Sequence, residues 1–163
     1  MPGRRCGTYH RAGQQGKPAA VDAHSVGGII YGGGMLESAL PVAFVPSTDL
    51  GRARDFYEGA LGLPVLDVDS FACVFRVGPI RLRVTLVGEL APQPFTVFGW
   101  EVAAIHETIA GLAGRGVEFV RYEGMDQDPA CVWTAPGGAQ VAWFRDPDGN
   151  LLSLTQHPGA GSP

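Results

Sequence analysis

The chain has 163 residues, of which 45% are apolar and 17% charged, and its formal net charge at pH 7 is −4. This length suits one domain, or two small half-domains that share a core. The apolar fraction excludes a disordered chain, and no apolar run reaches the roughly 18 residues of a membrane span. The negative charge argues against a broad nucleic-acid surface. We therefore expect a soluble globular protein without nucleic-acid or membrane partners.

Residues 1–38 differ in composition from the rest of the chain. They contain nine glycines and carry four basic and two acidic residues, whereas the remainder carries eight basic and fourteen acidic residues. No sustained apolar period runs through them, and many glycines raise the entropic cost of ordering a segment. The sequence predicts a flexible Gly-rich extension over 1–38, followed by a domain over 39–158.

The first half of that domain reads as a strand, a helix and three strands. Residues 42–46 alternate, and Thr48-Asp49 then offers an N-cap to a helix from Leu50 to about Leu61. The inner face of this helix is expected to carry Ala53, Phe56, Tyr57 and Ala60. Gly62 closes it, and strand candidates follow at 65–68, 71–77 and 80–87.

The second half repeats this order. It begins with a strand over 96–102 and a helix over 105–113, whose apolar face is expected to carry Ile105, Ile109 and Leu112. Four strand candidates follow, at 117–122, 131–134, 140–145 and 151–156. The same order of elements twice, about 55 residues apart, indicates an internal repeat. Residues 88–95, with two prolines, form the linker.

Two stretches carry a resemblance to a known family. Val45-Pro-Ser-Thr-Asp-Leu-Gly-Arg-Ala-Arg-Asp-Phe-Tyr-Glu-Gly-Ala-Leu-Gly-Leu63 resembles the first module of the vicinal-oxygen-chelate superfamily, and Trp143-Phe-Arg-Asp-Pro-Asp-Gly-Asn-Leu-Leu-Ser-Leu154 resembles the end of its second. That superfamily includes glyoxalase I, extradiol dioxygenases, fosfomycin-modifying enzymes and bleomycin-binding resistance proteins. The resemblance covers about residues 40–157.

The resemblance implies an α+β fold. Two β-α-β-β-β modules, about 40–88 and 95–157, would form a curved mixed sheet with an open cup, and the helices would lie on its outer face. It also implies a homodimer, because relatives commonly complete their cups by pairing modules within or between chains. We further expect unpaired sheet edges to need cover.

The segment Asp146-Pro-Asp-Gly-Asn150 invites two interpretations. Proline at the second position and glycine at the fourth favour a tight hairpin turn, with Asp146 capping the exposed amides. The alternative is a carboxylate pair for acid–base or metal chemistry. We favour the turn, and we likewise interpret Asp49 as a helix cap rather than a base.

The metal-binding relatives place one His, Glu or Gln ligand on the first and last strand of each module. The resemblance assigns these positions here to Val42, Arg83, Val97 and Ser153. Valine has no donor atom, and arginine is a permanent cation that would repel a divalent ion. The three cysteines, Cys6, Cys73 and Cys131, show no C-x-x-C spacing. We therefore expect no metal and no other cofactor.

Strand alternation predicts what lines the cup. On this basis Phe44, Arg81, Arg83, Glu101 and Ser153 share it. Buried charges are costly unless they are paired, so two interpretations stay open. In the first, Glu101 and the arginines form an ion pair, or an arginine reaches solvent. In the second, they hold a small polar or anionic ligand, with guanidinium as a forked donor.

Aromatic residues add a further possible binding surface. The bleomycin-binding relatives hold planar rings against exposed tryptophans, which makes Trp133 and Trp143 candidate ligand contacts by resemblance. Some of these aromatics must instead belong to the core, and the candidates are Phe75, Tyr122, Trp133, Trp143 and Phe144. Residues 123–129 form a polar loop, read either as a lid that carries Met125 and Asp126 or as a solvated loop.

Three functions follow from these observations. The first is a cytoplasmic, metal-free protein that binds a small aromatic or anionic molecule in the cup. The second is a metal-independent enzyme, in which Glu101 would act as general base and Arg81 or Arg83 would stabilise an oxyanion. The third, a metal-dependent lyase or dioxygenase, is disfavoured by the four residues at the metal positions.

Overall fold

A computed structural model describes residues 36–159 of the chain. The predicted Gly-rich extension therefore lies outside the described residues, except for its last three. A compact unit begins at Ala39 and holds all of the elements named below. Within the described range, no helix is long and apolar enough to cross a membrane.

The first module follows the predicted order. Strand β1 spans Val42–Ser47, helix α1 spans Leu50–Arg54, and a π-helical segment, Asp55–Ala60, continues it. Three strands complete the module: β2 (Val65–Val68), β3 (Ala72–Val77) and β4 (Ile80–Leu86). Asp49 caps α1 as predicted, because its Oδ1 accepts a 3.0 Å hydrogen bond from the amide of Arg52.

The second module repeats the first. It contains β5 (Thr96–Glu101), α2 (Ile105–Ala113), β6 (Trp133–Thr134), β7 (Gln140–Arg145) and β8 (Leu151–Gln156). Each module forms a four-stranded mixed sheet, in the orders β1-β4-β3-β2 and β5-β8-β7-β6. The first strand is parallel to the last in both sheets, and the other pairs are antiparallel. The predicted α+β fold of two β-α-β-β-β modules is confirmed.

Residues 117–122, predicted as a strand, form no strand. Only an isolated bridge joins Phe119 to Phe144. The physical reason is the buried side chain of Gln127, whose Oε1 accepts from the Tyr122 amide at 2.7 Å and whose Nε2 donates to the Val120 carbonyl at 3.1 Å. A side chain thus occupies the backbone groups that a neighbouring strand would use.

The next strand is shorter than predicted for a related reason. It covers residues 133–134 rather than 131–134, because Asp128 Oδ1 accepts from the amides of Ala130 and Val132 at 2.8 and 2.9 Å. Cys131, between them, has φ of 65°. This left-handed conformation is rare for a residue with a side chain, and it ends the extended backbone.

Helix α1 widens into the π-helical segment, which the apolar pattern did not predict. The amide of Leu61 donates to the carbonyl of Phe56, five residues earlier, at 2.9 Å. The predicted inner face is nevertheless correct, since Ala53 and Tyr57 are buried and Phe56 and Ala60 pack against the core. Pattern gives the buried face of a helix but not its hydrogen-bond register.

Both modules contribute to one hydrophobic core. The Phe56 ring lies 6.5 Å from that of Phe144 in the other module, and the Tyr57 ring lies 5.5 Å from that of Phe75. Strand alternation predicts eight residues beneath the helices, and five of them are buried: Val45, Leu82, Val84, Leu152 and Leu154. The other three, Ala43, Trp100 and Val102, are partly buried and pack against the same core. The helices and one face of each sheet therefore enclose the core, and the opposite sheet faces are left for other contacts.

The turn at 146–150 connects the modules through Asp146. Within the turn, Asp146 Oδ1 accepts from the amides of Asp148 and Asn150 at 3.0 and 2.9 Å, which confirms the predicted capping role. Its Oδ2 accepts from the buried hydroxyl of Tyr57 at 2.9 Å. Burial raises the pKa of Asp146 against these hydrogen bonds, and burial beside Asp146 also raises the pKa of Tyr57.

Asp148 makes the second connection, to the junction of β1 and α1. Its side chain is only 3% exposed, and it accepts hydrogen bonds from Ser47 Oγ, from the Thr48 amide and hydroxyl, and from Arg52. Burial opposes ionisation of Asp148, but the hydrogen bonds from Ser47 and Thr48 and the charge of Arg52 outweigh it and hold the pKa below its usual value. We call Asp146, Asp148 and their partners in the first module the module clamp.

The linker packs on the same turn. Gly149 has φ of +84°, and a Cβ built there would lie 2.9 Å from Cγ of Pro92. Any side chain at 149 would therefore be strained and would push the linker away. This glycine serves both the turn and the close approach of the linker.

We expect Asp148→Ala to lower the free energy of unfolding by about 2–4 kcal/mol, because four donors at the module junction lose their acceptor. Urea unfolding measures the change. Glu58→Ala is the control, since it removes an exposed pair with Arg54 and should cost under about 0.5 kcal/mol.

The difference in stability between wild type and Asp148→Ala should depend on pH. A carboxylate whose pKa is lowered on folding stabilises the fold above its unfolded pKa, about 3.9, and this contribution is lost as the pH falls through the folded pKa. The gap in stability between wild type and Asp148→Ala should therefore shrink below about pH 4. A gap that stays constant down to pH 2.5 would contradict the role given to the ionised carboxylate.

Candidate functional site

The sheet faces that point away from the core carry the predicted ligand residues. In the first sheet this face contains Phe44 and Arg83, which are cross-strand partners, and Val42 and Arg81, which are also partners. In the second it contains Trp143 and Ser153, which pair across β7 and β8. The predicted assignment of these residues to the face opposite the helices is consistent with the observed register.

The first sheet presents three arginines on this face, which we call the arginine face. Arg76 of β3 lies directly opposite Arg81 of β4, and Arg83 follows two residues later on the same side. Like charges in directly opposed positions are destabilising. Within residues 36–159, neither Arg76 nor Arg81 forms an ion pair. The arrangement favours an added anion.

Arg83 has a weak protein partner, Asp69, whose Oδ2 lies 3.8 Å from Nη2 of Arg83. Hydrogen bonds from the amides of Phe71 and Ala72, with a smaller effect of Arg83, lower the pKa of Asp69. The amide hydrogen bonds from Phe71 and Ala72 therefore keep Asp69 ionised, and its ionisation does not depend on Arg83. Arg83 keeps donor capacity for a ligand.

The arginine face also carries exposed apolar groups and one unpaired hydroxyl. Phe44 is 64% exposed, and Val42 beside it is exposed as well. Farther along β4, Thr85 Oγ1 is buried without a hydrogen-bond partner among the described residues. A face that offers cations beside an exposed ring suits a ligand with both apolar and acceptor groups.

The predicted ion pair between Glu101 and the arginines does not form. Glu101 lies exposed at the end of β5, and among residues 36–159 it makes no ion pair, whereas Arg83 approaches Asp69. The β-turn after β2 supplies a nearer carboxylate than the end of β5 does. That interpretation of Glu101 is therefore wrong, and its role as a ligand contact or base stays a prediction.

The second sheet presents an aromatic group on the face away from the core. The rings of Trp133 and Trp143 are 6.3 Å apart, and Tyr122 meets Trp143 edge-on at 5.6 Å and 83°. Nε1 of Trp143 donates to Thr96 Oγ1 at 3.2 Å, which fixes the orientation of the indole. By contrast Phe75 and Phe144 are fully buried in the core.

A cavity of about 320 Å³ adjoins this aromatic group, and we call it the aromatic pocket. Its walls come from the linker, from the start of β5, from the loop after α2 and from β7 and β8, and they comprise Pro94, Phe95, Thr96, Tyr122, Met125, Trp143 and Leu151. Apolar and aromatic walls with a few polar groups are typical of small-molecule sites. The volume is at the lower end of the range for such sites.

The loop at 123–129 is neither a simple lid nor a fully solvated loop. Met125 lines the aromatic pocket, while Asp126 is exposed and lines a different cleft. Gln127, only 9% exposed, fixes the loop from beneath through Val120, Tyr122 and Cys131. The loop thus presents Met125 and Tyr122 to the pocket from a hydrogen-bonded base.

Gly99 lies against Ser153 at the centre of the second sheet. A Cβ at Gly99 would overlap Ser153 Oγ and would lie 3.1 Å from the Ser153 carbonyl oxygen. Ser153 itself is 8% exposed. The close approach of Ser153 therefore explains why position 99 is a glycine.

The residues at the four metal positions do not fit a divalent ion. Val42 and Val97 offer no donor atom, Arg83 is a cation, and Ser153 offers a single neutral hydroxyl. Val97 also lies at a bulge, because the pairing of β5 with β8 shifts between Thr96 and Phe98. Nowhere in the described part of the chain do three His, Cys, Asp or Glu side chains gather in a way that could hold a metal.

The predicted site residues thus fall into two groups. Phe44, Arg81 and Arg83 lie together on the first sheet, and Trp133, Trp143 and Ser153 lie together on the second. Sequence reasoning missed Arg76 and Thr96. Arg76 could have been found, because pairing the predicted strands across the Gly78-Pro79 turn places it opposite Arg81. No local signal indicated that Thr96 binds an indole.

The sequence matches the Glyoxalase/Bleomycin resistance protein/Dioxygenase superfamily over residues 39–154. This span covers most of the chain and both modules, and the fold described above agrees with it. The protein therefore belongs to the glyoxalase/bleomycin resistance protein/dioxygenase superfamily.

Solved structures of the same fold share little sequence with this chain. A glyoxalase/bleomycin resistance protein/dioxygenase from Nocardioides is 18% identical, with a TM-score of 0.58 over 76% of this chain and 86% of that one. One from Alicyclobacillus acidocaldarius is 20% identical, with a TM-score of 0.55 over 74% and 92%. A lactoylglutathione lyase from Agrobacterium tumefaciens is 17% identical, with a TM-score of 0.57 over 73% and 93%. These likenesses show the fold alone.

A curated relative, an S-layer-related protein from Niallia circulans, is 29% identical over 83 residues. That match covers 51% of this chain and 5% of the relative. The chain therefore corresponds to a small part of that protein.

We expect Gly99→Ala to destabilise the fold by about 1–3 kcal/mol, because the new methyl group would overlap Ser153. Thermal unfolding measures the loss. The double variant Gly99→Ala/Ser153→Gly should recover part of it, since the hydroxyl is the nearest atom and the carbonyl contact remains. Equal stability of the single and double variants would show that the overlap with the hydroxyl is not the cause.

Proposed function

We propose that this protein binds a small aromatic or anionic molecule without a metal. The observation that carries the proposal is the aromatic pocket, where Trp143 is held by Thr96 and flanked by Tyr122 and Trp133. Hydrogen bonding of the indole nitrogen leaves the ring faces available for stacking. A planar ligand would therefore gain most of its binding free energy by burying apolar area against these rings.

The arginine face supports the anionic part of the proposal. Arg81 and Arg83 stand beside the exposed ring of Phe44, and Arg76 adds a third guanidinium. Guanidinium binds carboxylate and phosphate through paired hydrogen bonds. A carboxylate or phosphate ester would relieve the repulsion between Arg76 and Arg81 as well as gain these bonds.

The side chains at the four metal positions, Val42, Arg83, Val97 and Ser153, support the metal-free part of the proposal, because none of them is a good ligand for a divalent ion.

The alternative function, a metal-independent enzyme, has less support. A general base must reach a substrate proton and works best when its pKa is tuned toward the working pH. Glu101 is exposed, does not line the aromatic pocket and forms no ion pair with an arginine among residues 36–159. The predicted homodimer belongs to the same proposal, because a second copy could cover the exposed apolar residues beside the arginines.

The probe that tests both halves is 1-anilinonaphthalene-8-sulfonate, which is aromatic and anionic. Trp143→Leu should weaken its binding by about 1–2 kcal/mol, or roughly five- to thirty-fold in Kd, through loss of stacking. Fluorescence titration in buffer with EDTA measures the Kd of the probe, and binding under these conditions would show that no divalent metal is needed. Trp100→Phe is the control, because Trp100 lies on the core face of the same sheet and stacks on Phe144.

Arg83→Ala should weaken binding of the sulfonate by about 1.5–3 kcal/mol, as for loss of a charge-assisted hydrogen bond. Binding of uncharged N-phenyl-1-naphthylamine should stay unchanged. Arg54→Ala, at an exposed pair with Glu58, controls for net charge. Equal losses in Arg83→Ala and Arg54→Ala would refute the arginine face, and binding that requires added zinc, nickel or manganese would refute the metal-free reading.

A further inference from the structure

A second cleft lies on the other side of the second sheet, between the end of the π-helical segment and α2. Its volume is about 190 Å³. Its largest apolar walls are Leu61, Leu63, Trp100, Leu112, Phe144 and Leu154, and Glu101, Val102 and Thr108 complete the lining. We call this space the inter-module cleft, because Leu61 and Leu63 belong to the first module and the other lining residues to the second.

Register separates this cleft from the aromatic pocket. Trp100 pairs with Leu154, and Phe144 pairs with Leu152, on the core face of the second sheet. Trp143, which lines the aromatic pocket, is adjacent to Phe144 in the strand and therefore points to the opposite face. The two spaces lie on opposite sides of one sheet, and no residue lines both of them.

The local backbone explains why neighbouring side chains leave this space open. The π-helical segment ends with the bond from Leu61 to Phe56, and Gly62 then adopts φ of +72°. The backbone thereby changes direction after Leu61. π-Helical turns of this kind are frequent at functional sites. On the other side, α2 lines the cleft with Leu112 and with the short side chain of Thr108.

The chemistry of the walls selects the ligand. The Thr108 hydroxyl donates to the carbonyl of Ala104 at 2.8 Å, so its proton is not available to a ligand. Apart from Glu101, which is exposed, the remaining walls are aliphatic or aromatic, and the rings of Trp100 and Phe144 stack at 6.1 Å with 23° between their planes. An anionic ligand, or a neutral one that needs a hydrogen-bond donor, would lose its hydration here without compensation, whereas a flat apolar ring would not.

We infer that the inter-module cleft is a second ligand site that takes a small uncharged apolar ring, such as a benzene or cyclohexane derivative. Apolar cavities of about 150 Å³ bind benzene or xenon in proteins, so the volume suffices. The site does not depend on the proposed function of the aromatic pocket. Because both modules line it, an occupant should stabilise the folded chain.

The experiment uses Trp100 as the reporter. The chain contains three tryptophans, and the double variant Trp133→Phe/Trp143→Phe leaves Trp100 alone. Bromobenzene is the probe, because its bromine quenches indole fluorescence at contact. We expect saturable quenching of Trp100, with Kd on the order of 1 mM, and a rise in Tm with bromobenzene concentration.

Two variants in that background fill the cleft from different walls, Val102→Phe from the residue that follows β5 and Thr108→Leu from α2. Each variant should raise the Kd for bromobenzene, measured by quenching of Trp100, at least tenfold. Val68→Phe, on the exposed edge strand β2, adds the same side chain away from the cleft and should leave quenching unchanged. Quenching that rises linearly without saturation, or that persists in a folded Thr108→Leu protein, would overturn the inference.

Discussion

Two carboxylates of one turn are buried against the other module, and the arrangement of the molecule follows from this contact. Removing Asp146 and Asp148 from water is unfavourable, but every oxygen of both side chains accepts a hydrogen bond, and Arg52 adds a charge. Such a site tolerates no alternative partner of different shape. It therefore fixes the junction of β1 and α1 next to the end of β7. Because these two elements are held together, the rings of Phe56 and Phe144 pack against each other, and the helices of both modules close one core.

A shared core leaves each sheet with one free face, and strand alternation decides what that face carries. Phe144 is buried while Trp143, one residue earlier, borders the aromatic pocket. In the first sheet Leu82 is buried while Arg81 and Arg83 face outward. A shift of one residue in either strand would bury arginines and expose core residues, so the register is strongly specified. Ligand chemistry can therefore change on the free faces without a change in the fold.

Sequence pattern was sufficient where a strand alternates or a helix is capped locally. It gave β1, β7, β8 and the bounds of α2, as well as the capping roles of Asp49 and Asp146. It failed at 117–122, where Gln127 binds the backbone of Val120 and Tyr122 from within the following loop. It also missed the π-helical segment, because the apolar pattern records which residues are buried and not which carbonyl each amide binds. For the site, alternation gave the faces, but the pairing of Arg83 with Asp69 depends on side-chain reach, which pattern does not encode.

The contacts that hold the free faces in place lie elsewhere in the fold, so the chemistry of these faces can change. Strands β1 and β4, and likewise β5 and β8, are joined by parallel pairing, and the modules are joined by the module clamp. These contacts are made by the backbone of the strands and by the side chains of the clamp, and the outward-facing side chains of Arg76, Arg81 and Arg83 take no part in them. The three arginines therefore give the free face of the first sheet a positive potential, which attracts anions, without being needed to hold the two modules together.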